Sequence, residues 1–395
     1  MFTLAFKSFR NRKATTVLTI VSIALSVTLL LGVERIRTEA KSGFVNTLSG
    51  TDLVVGARSG PVQLLLYAVF RIGNATNNIS WESYRQIAAH PQVRWTIPIS
   101  LGDSHQGYRV LGTNGDYFEY LRHADNRPLE FAQGRLFQGV FEAVLGADVA
   151  RALDYRPGRS IIIAHGAGKV SFVHHDDMPF TVVGILKRTG TPVDQTIHIP
   201  LEGMEAIHVG WHDGAPLPGL SIPMENVLEM DLTPQSITAV FVGLNSRLAA
   251  FAVQRFINDY RPEPLLAILP GVALQELWDL IGIAEKALRV VSGFVVVVGL
   301  SGMLTALMTS VNERRREMAI LRSVGARPSN VFTLIIGESA LLTLSGAAAG
   351  VVILYTLLLV GRPLLLSNFG LWIAIRGLSL YEAALIATVS LAGLL

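Results

Sequence analysis

Residues 312–327 read NERRREMAILRSVGAR, and this stretch decides how the rest of the chain is read. Arg314, Arg315, Arg316, Arg322 and Arg327 crowd between two long apolar runs, VVSGFVVVVGLSGMLTALMTSV (290–311) and VFTLIIGESALLTLSGAAAGVVILYTLLLV (331–360). Met318, Ile320, Leu321 and Val324 recur at separations of three and four, the spacing of one helical face. Glu313, Arg314, Arg315 and Glu317 stand at the start of the segment, and Gly325 followed by Pro328 ends it. The pattern predicts a short amphipathic helix over 312–326, lying parallel to a membrane.

Working outward, the apolar runs are long enough to be membrane spans. Half of the 395 residues are hydrophobic and 16% are charged, where soluble globular chains average about a quarter charged. Residues 14–33 carry no charge and suffice to cross a hydrocarbon core of about 30 Å. Spans are also expected at 288–311 and 331–361, the latter interrupted by Glu338. A fourth begins at Tyr381 and runs to residue 395, short of the roughly 20 residues a span needs, so the sequence is expected to continue past Leu395. The expected fold is thus membrane α-helical, four transmembrane helices with a large α+β extracytoplasmic domain between the first and second.

Orientation follows from the basic residues. Lys7, Arg10, Arg12 and Lys13 precede the first span, and the arginine run separates the second from the third, so both segments are expected in the cytoplasm. The insert 34–287 holds 21 Lys and Arg against 26 Asp and Glu, and belongs on the opposite side. The overall charge of +3 therefore reflects basic cytoplasmic edges and excludes a nucleic-acid reading. Residues 1–13 place Phe2, Leu4, Phe6 and Phe9 opposite Lys7, Arg10 and Lys13, the pattern of an interfacial helix. The absence of cysteine rules out disulfides and thiol chemistry.

The insert alternates strand and helix signals. TDLVVGAR (51–58), VRWTIPISL (93–101), RSIIIAH (159–165), KVSFVHH (169–175), FTVVGILKR (180–188) and SITAVFVGL (236–244) read as strands, and SWESYRQIAAH (80–90) as a helix. Two lobes are expected, an α/β lobe at 45–120 and 231–270 with a β-rich lobe, 121–230, inserted in it. The helix before the second span, and the first helix beyond Glu34, are expected to continue as stalks. PVQLLLYAVFRI (61–72) is too short to span and reads as a core helix by default. Its many apolar residues also suggest that Leu65 and Val69 face outward.

Local motifs exclude several chemistries. HGAGKV (165–170) is not a phosphate loop, because Ile163 occupies the first glycine position and Val170 the hydroxyl position. No Ser-His-Asp or paired-carboxylate spacing supports a hydrolase. HHDD (174–177) has zinc-like chemistry, yet neighbouring residues of a strand point to opposite faces, so it reads as a polar hairpin tip and no metal ligand is assigned. In the third span, Gly346 and Gly350 are four apart and suit close helix packing.

The segment NERRREMAILRSVGA after the second span resembles the signature of the MacB, LolC and FtsX group of ABC transporter permeases, also called mechanotransmission systems. FTVVGILKRTGTPVDQTIHIPLEGMEAI (180–207) resembles the β-rich part of MacB-like outer domains. The resemblance implies a coupling helix made of Asn312, Glu313, Arg314, Arg315, Arg316, Glu317, Met318, Ala319, Ile320, Leu321, Arg322, Ser323, Val324, Gly325 and Ala326. It would dock on a separate ABC ATPase that holds ATP and magnesium, while this chain binds no cofactor and catalyses nothing. The resemblance further implies a homodimer in a bacterial inner membrane, the large domain in the periplasm, and contact with lipid and a periplasmic or outer-membrane protein. The work implied is lipoprotein or lipid release, efflux, or transport linked to metal homeostasis. The alternative is a membrane-anchored sensor or scaffold that works without transport.

Overall fold

A computed structural model describes residues 13–45, 47–124, 126–166, 177–212, 215–216, 222–313, 323, 328–369 and 376–393. The fold divides into two compact units, one of residues 1–41 with 280–395, the other of residues 42–279.

The second unit is built on one sheet. Its principal strands are β1 (Leu53–Ala57), β2 (Val93–His105), β3 (Tyr108–Thr113), β4 (Phe131–Gly134), β5 (Glu142–Leu145), β6 (Ala164–His165), β7 (Phe180–Leu186), β8 (Thr196–Pro200), β9 (Ala239–Leu244) and β10 (Leu265–Ile268). They lie in the order β10-β1-β9-β2-β3-β8-β5-β7-β4, with β6 added to the far end of β2. Most pairs are antiparallel, but β8 lies parallel to β3 and β7 parallel to β5. Strands from the expected 121–230 lobe therefore share a sheet with those of 45–120 and 231–270. The longer central strands β1, β2, β7, β8 and β9 are rich in β-branched and aromatic residues that suit a pleated, buried surface. The segment 159–165, read as one strand, pairs at two places instead: Ser160–Ile161 joins β7 and β6 joins β2, with Ile162 39% exposed between them.

The helix α1 (Pro61–Phe70) starts on a proline at its first turn and ends where Arg71 takes a left-handed conformation. It lies on β1, where Gly56 leaves a notch: a Cβ there would stand 2.7 Å from both Leu64 Cδ1 and Tyr67 Oη. Leu64, Leu65, Tyr67, Ala68, Val69 and Phe70 are all buried. This corrects the expectation of an outward apolar face, since Leu65 is 2% and Val69 3% exposed, and of the large apolar side chains in 61–72 only Ile72 is open. Apolar residues of the sheet pack with Tyr117, Phe118, Leu121 and Leu129 in the cluster that encloses it.

Three hydrophobic clusters fill this unit, one around α1 with Tyr117 and Phe118, one around β5, β7 and β8, and one between β1, β9 and the helix Ala250–Asn258. His198 of β8 lies wholly inside, and burial, with the Arg71 cation second, pushes its pKa down to about 3, so it is neutral.

The other unit is helical. Taking α2 as Lys13–Val45, α3 as Leu201–Ala206, α4 as Pro270–Glu313, α5 as Pro328–Phe369 and α6 as Leu380–Ala392, it contains all or part of α2, α4, α5 and α6. Among the described residues, three helices are long and apolar enough to cross a membrane: Thr16–Arg35, Pro270–Thr305 and Ile336–Gly361. Where a fourth span was expected the described helix is 13 residues long, apolar but shorter than a crossing. The loop expected over 362–380 begins later, because helix continues to Phe369 through the strong helix formers Leu364, Leu365 and Leu366. Of the expected interfacial helix 1–13, only Lys13 lies within the described residues, opening α2.

Candidate functional site: the helix bundle and the segment it presents

Asn312 and Glu313 close α4, and α5 opens on Pro328, so the arginine-rich segment is bounded by the two longest helices among the described residues. Ser323 is helical and exposed. Arg314, Arg315, Arg316, Glu317, Met318, Ala319, Ile320, Leu321, Arg322, Val324, Gly325 and Ala326 lie outside the described residues.

Gly346 and Gly350 face α2 across a very close approach. A Cβ on Gly346 would stand 2.7 Å from Ile23 Cβ, and one on Gly350 would stand 2.7 Å from the Ala24 carbonyl oxygen and 2.9 Å from Val27 Cβ. Thr28 uses that proximity, donating its hydroxyl to the Gly350 carbonyl at 2.9 Å. On another side of α2, Ser26 Oγ donates to the Val295 carbonyl of α4 at 3.1 Å. Gly299 leaves room for that serine, since a Cβ would meet Ser26 Oγ at 2.8 Å. Small residues and hydroxyls at helix contacts are how helices associate where lipid removes the hydrophobic drive. Ile23, Val27, Leu31, Met303, Leu342, Ala347, Leu354, Leu358 and Val389 fill the bundle between these contacts. Glu338 is buried early in the apolar part of α5.

A charged clasp joins Arg35, at the end of the apolar part of α2, to the start of α6. Arg35 donates from Nε to Glu382 Oε1 at 2.9 Å and from Nη2 to Oε2 at 3.0 Å, a bidentate pair with both side chains 5% exposed. Its remaining donors reach the carbonyls of Arg376 and Gly377, each at 2.9 Å. Glu382 also completes a capping box with Ser379, and Tyr355 of α5 donates to the Arg376 carbonyl at 2.6 Å. Tyr355 presents its ring to the guanidinium, 5.6 Å from its carbon.

The unit of residues 42–279, the outer unit by the expected orientation, holds a second polar constellation. Asp103 on β2, His165 on β6 and His208 just after α3 bring their ligand atoms within 4.8 Å of one another. Asp103 and His165 are directly opposite in the β2–β6 pairing. The neighbouring carboxylate, chiefly through its contact with the imidazole, raises the pKa of His165. Of the HHDD stretch, His174, His175 and Asp176 lie outside the described residues, and Asp177 is exposed.

Two family profiles match in sequence order. Residues 16–248 match the MacB-like periplasmic core domain, and residues 289–394 match the FtsX-like permease C-terminal region. The chain belongs to the MacB/LolC/FtsX-like ABC permeases. The permease is 23% identical over 371 residues to the macrolide export ATP-binding/permease protein MacB of Azoarcus sp. (strain BH72), covering 88% of this chain and 50% of that protein. It is 22% identical over 219 residues to the lipoprotein-releasing system transmembrane protein LolC of Neisseria meningitidis serogroup B, covering 55% and 48%. The periplasmic region of MacB from Actinobacillus actinomycetemcomitans aligns with a TM-score of 0.34 at 13% identity, over 58% of this chain and 94% of that one. The permease spans about half the length of the curated relatives it matches.

Sequence reasoning about this permease did not find Arg35 with Glu382, nor Asp103 with His165 and His208. Both groups join residues far apart in the chain, which no local period reveals. A usable signal existed for the first: Arg35 and Glu382 are ionisable groups at the edges of apolar runs, where a partner is needed.

Proposed function

We propose that this chain is the membrane subunit of an ABC transporter that converts ATP hydrolysis by a partner into conformational work outside a bacterial inner membrane. Four spans carry it, formed by the apolar parts of α2, α4 and α5 and by a fourth that α6 begins. The outer domain faces the periplasm as two lobes on one sheet. The chain itself is not catalytic and holds no cofactor; ATP and magnesium sit on a separate ATPase subunit docked on 312–326. A second copy of the permease, lipid, and a periplasmic or outer-membrane protein complete the assembly. The work belongs to the class of lipoprotein or lipid release, efflux, or metal-linked transport.

The observation that carries this reading is the placement of the arginine-rich segment. The FtsX-like match, 289–394, encloses it, and the apolar helices α4 and α5 bound it on either side. Relatives named for ATP-binding/permease and lipoprotein-releasing functions support the same class. Purification of the full chain in detergent from its native host is the test. An ABC ATPase is expected to co-purify at a stoichiometric level, and more completely when nucleotide is trapped. Recovery of a histidine kinase without any ATPase would replace the transporter with a sensor.

A further inference from the structure

We propose that Asp103, His165 and His208 bind a divalent transition-metal ion of the zinc class on the outer unit. His165 Nδ1 lies 3.1 Å from Asp103 Oδ1 and 3.2 Å from His208 Nε2, and His208 Nε2 lies 3.5 Å from Asp103 Oδ2. Ligands placed about 2.0–2.1 Å from a tetrahedral zinc stand roughly 3.3–3.4 Å from one another. The two nitrogens and the two carboxylate oxygens thus surround one position at spacings close to those of a zinc ion's ligands.

Each ligand is set by its surroundings. The pairing of β2 with β3 shifts register between Leu101 and Ser104, a bulge that inserts one residue and re-aims Asp103. Asp103 is fully buried, and among the described residues no hydroxyl or amide hydrogen-bonds either carboxylate oxygen. A buried carboxylate held only by two imidazoles is a costly arrangement unless positive charge joins it. His208 Nδ1 donates to the Met204 carbonyl at 2.8 Å. That bond occupies Nδ1, so Nε2 is the nitrogen that faces Asp103 and His165. A ring nitrogen donating to a backbone carbonyl is the usual outer partner of a metal-bound histidine. Trp211 packs on both rings, with centroids 4.9 Å from His165 and 5.4 Å from His208.

The donor set selects the ion. Two imidazoles and one carboxylate suit zinc and its neighbours, whereas calcium and magnesium require mostly oxygen. Three protein ligands leave a fourth position for water or an incoming group. The imidazoles stay 35% and 28% exposed, so that position faces an accessible rim. The bound ion ties the β6 edge and the end of α3 to β2.

The test uses the full chain in detergent, stripped of metal and then given zinc alone. About one equivalent should stay bound through gel filtration and raise the melting temperature in a saturable way. His165→Ala and His208→Ala should each lose both the ion and the rise, while the His174→Ser/His175→Ser variant keeps them. Cobalt added to the unaltered chain should give the intense visible bands of a four-coordinate ion, a readout independent of how any variant folds. Absence of bound zinc, six-coordinate cobalt only, retention of zinc by both alanine variants, or its loss from the His174/His175 variant would each overturn the proposal.

Discussion

Leu321→Asp is expected to abolish the stimulation of ATP hydrolysis that the permease gives its ATPase, while the chain still inserts and folds. Met318, Ile320, Leu321 and Val324 form the apolar set of the 312–326 segment, and the arginines around them remain polar. If that set fills a groove on the ATPase, a carboxylate buried there loses hydration without gaining a partner. The penalty is several kcal/mol, and about 3–4 kcal/mol would weaken docking roughly a hundred- to a thousandfold. Ser323→Asp lies outside the apolar set and is expected to keep most of the stimulation. ATP turnover with wild-type and variant permease in matched amounts reads the effect, and unchanged stimulation by Leu321→Asp would remove this segment from the coupling role.

Arg35→Met is expected to destabilise the bundle by about 3 kcal/mol, because it leaves Glu382 charged and shut in without its guanidinium. Glu382 would keep only its bonds to Ser379, at 2.7 Å from the Ser379 amide. Glu382→Leu alone should be damaging in the same way, leaving Arg35 with the Arg376 and Gly377 carbonyls. Replacing both partners, as in Arg35→Met with Glu382→Leu, should recover most of the loss, since well-packed apolar groups substitute for a buried ion pair at little net change. Thermal unfolding of the four forms in one detergent makes a double-mutant cycle. Additive losses in the double variant would mean that the two side chains do not act as a pair.

The parts legible in the sequence were those carried by local pattern. The hydropathy of 14–33, 290–311 and 331–361 marked the three long apolar helices, and alternation within 51–58, 93–101, 180–188 and 236–244 marked strands that the sheet contains. The stretch 61–72 was misread in part because a helix apolar on every side looks exposed until its neighbours are known. Gly56 and the surrounding clusters bury Leu65 and Val69, a fact that depends on strands distant in the chain. The same limit hid the clasp and the Asp103 constellation. Arg35 meets Glu382 only when α2 and α6 pack in one bundle, and Asp103 meets His165 only through strand pairing. HHDD, two histidines beside two aspartates in the sequence, drew attention to histidine chemistry at 174–177 while the structure assembles it from 103, 165 and 208.

The central claim is that 312–326 is the surface on which an ATPase docks, and the chain offers a clean way to test it because it contains no cysteine. Ala319→Cys places a unique thiol among the apolar positions of the segment, and Gly190→Cys places one on a turn of the outer unit. Each variant, labelled with a short photo-crosslinker in membranes that also contain the ATPase, is irradiated and analysed by mass. The account predicts a permease–ATPase adduct from position 319, strengthened by trapped nucleotide, and none from position 190. An adduct from position 190 with none from position 319 would contradict it.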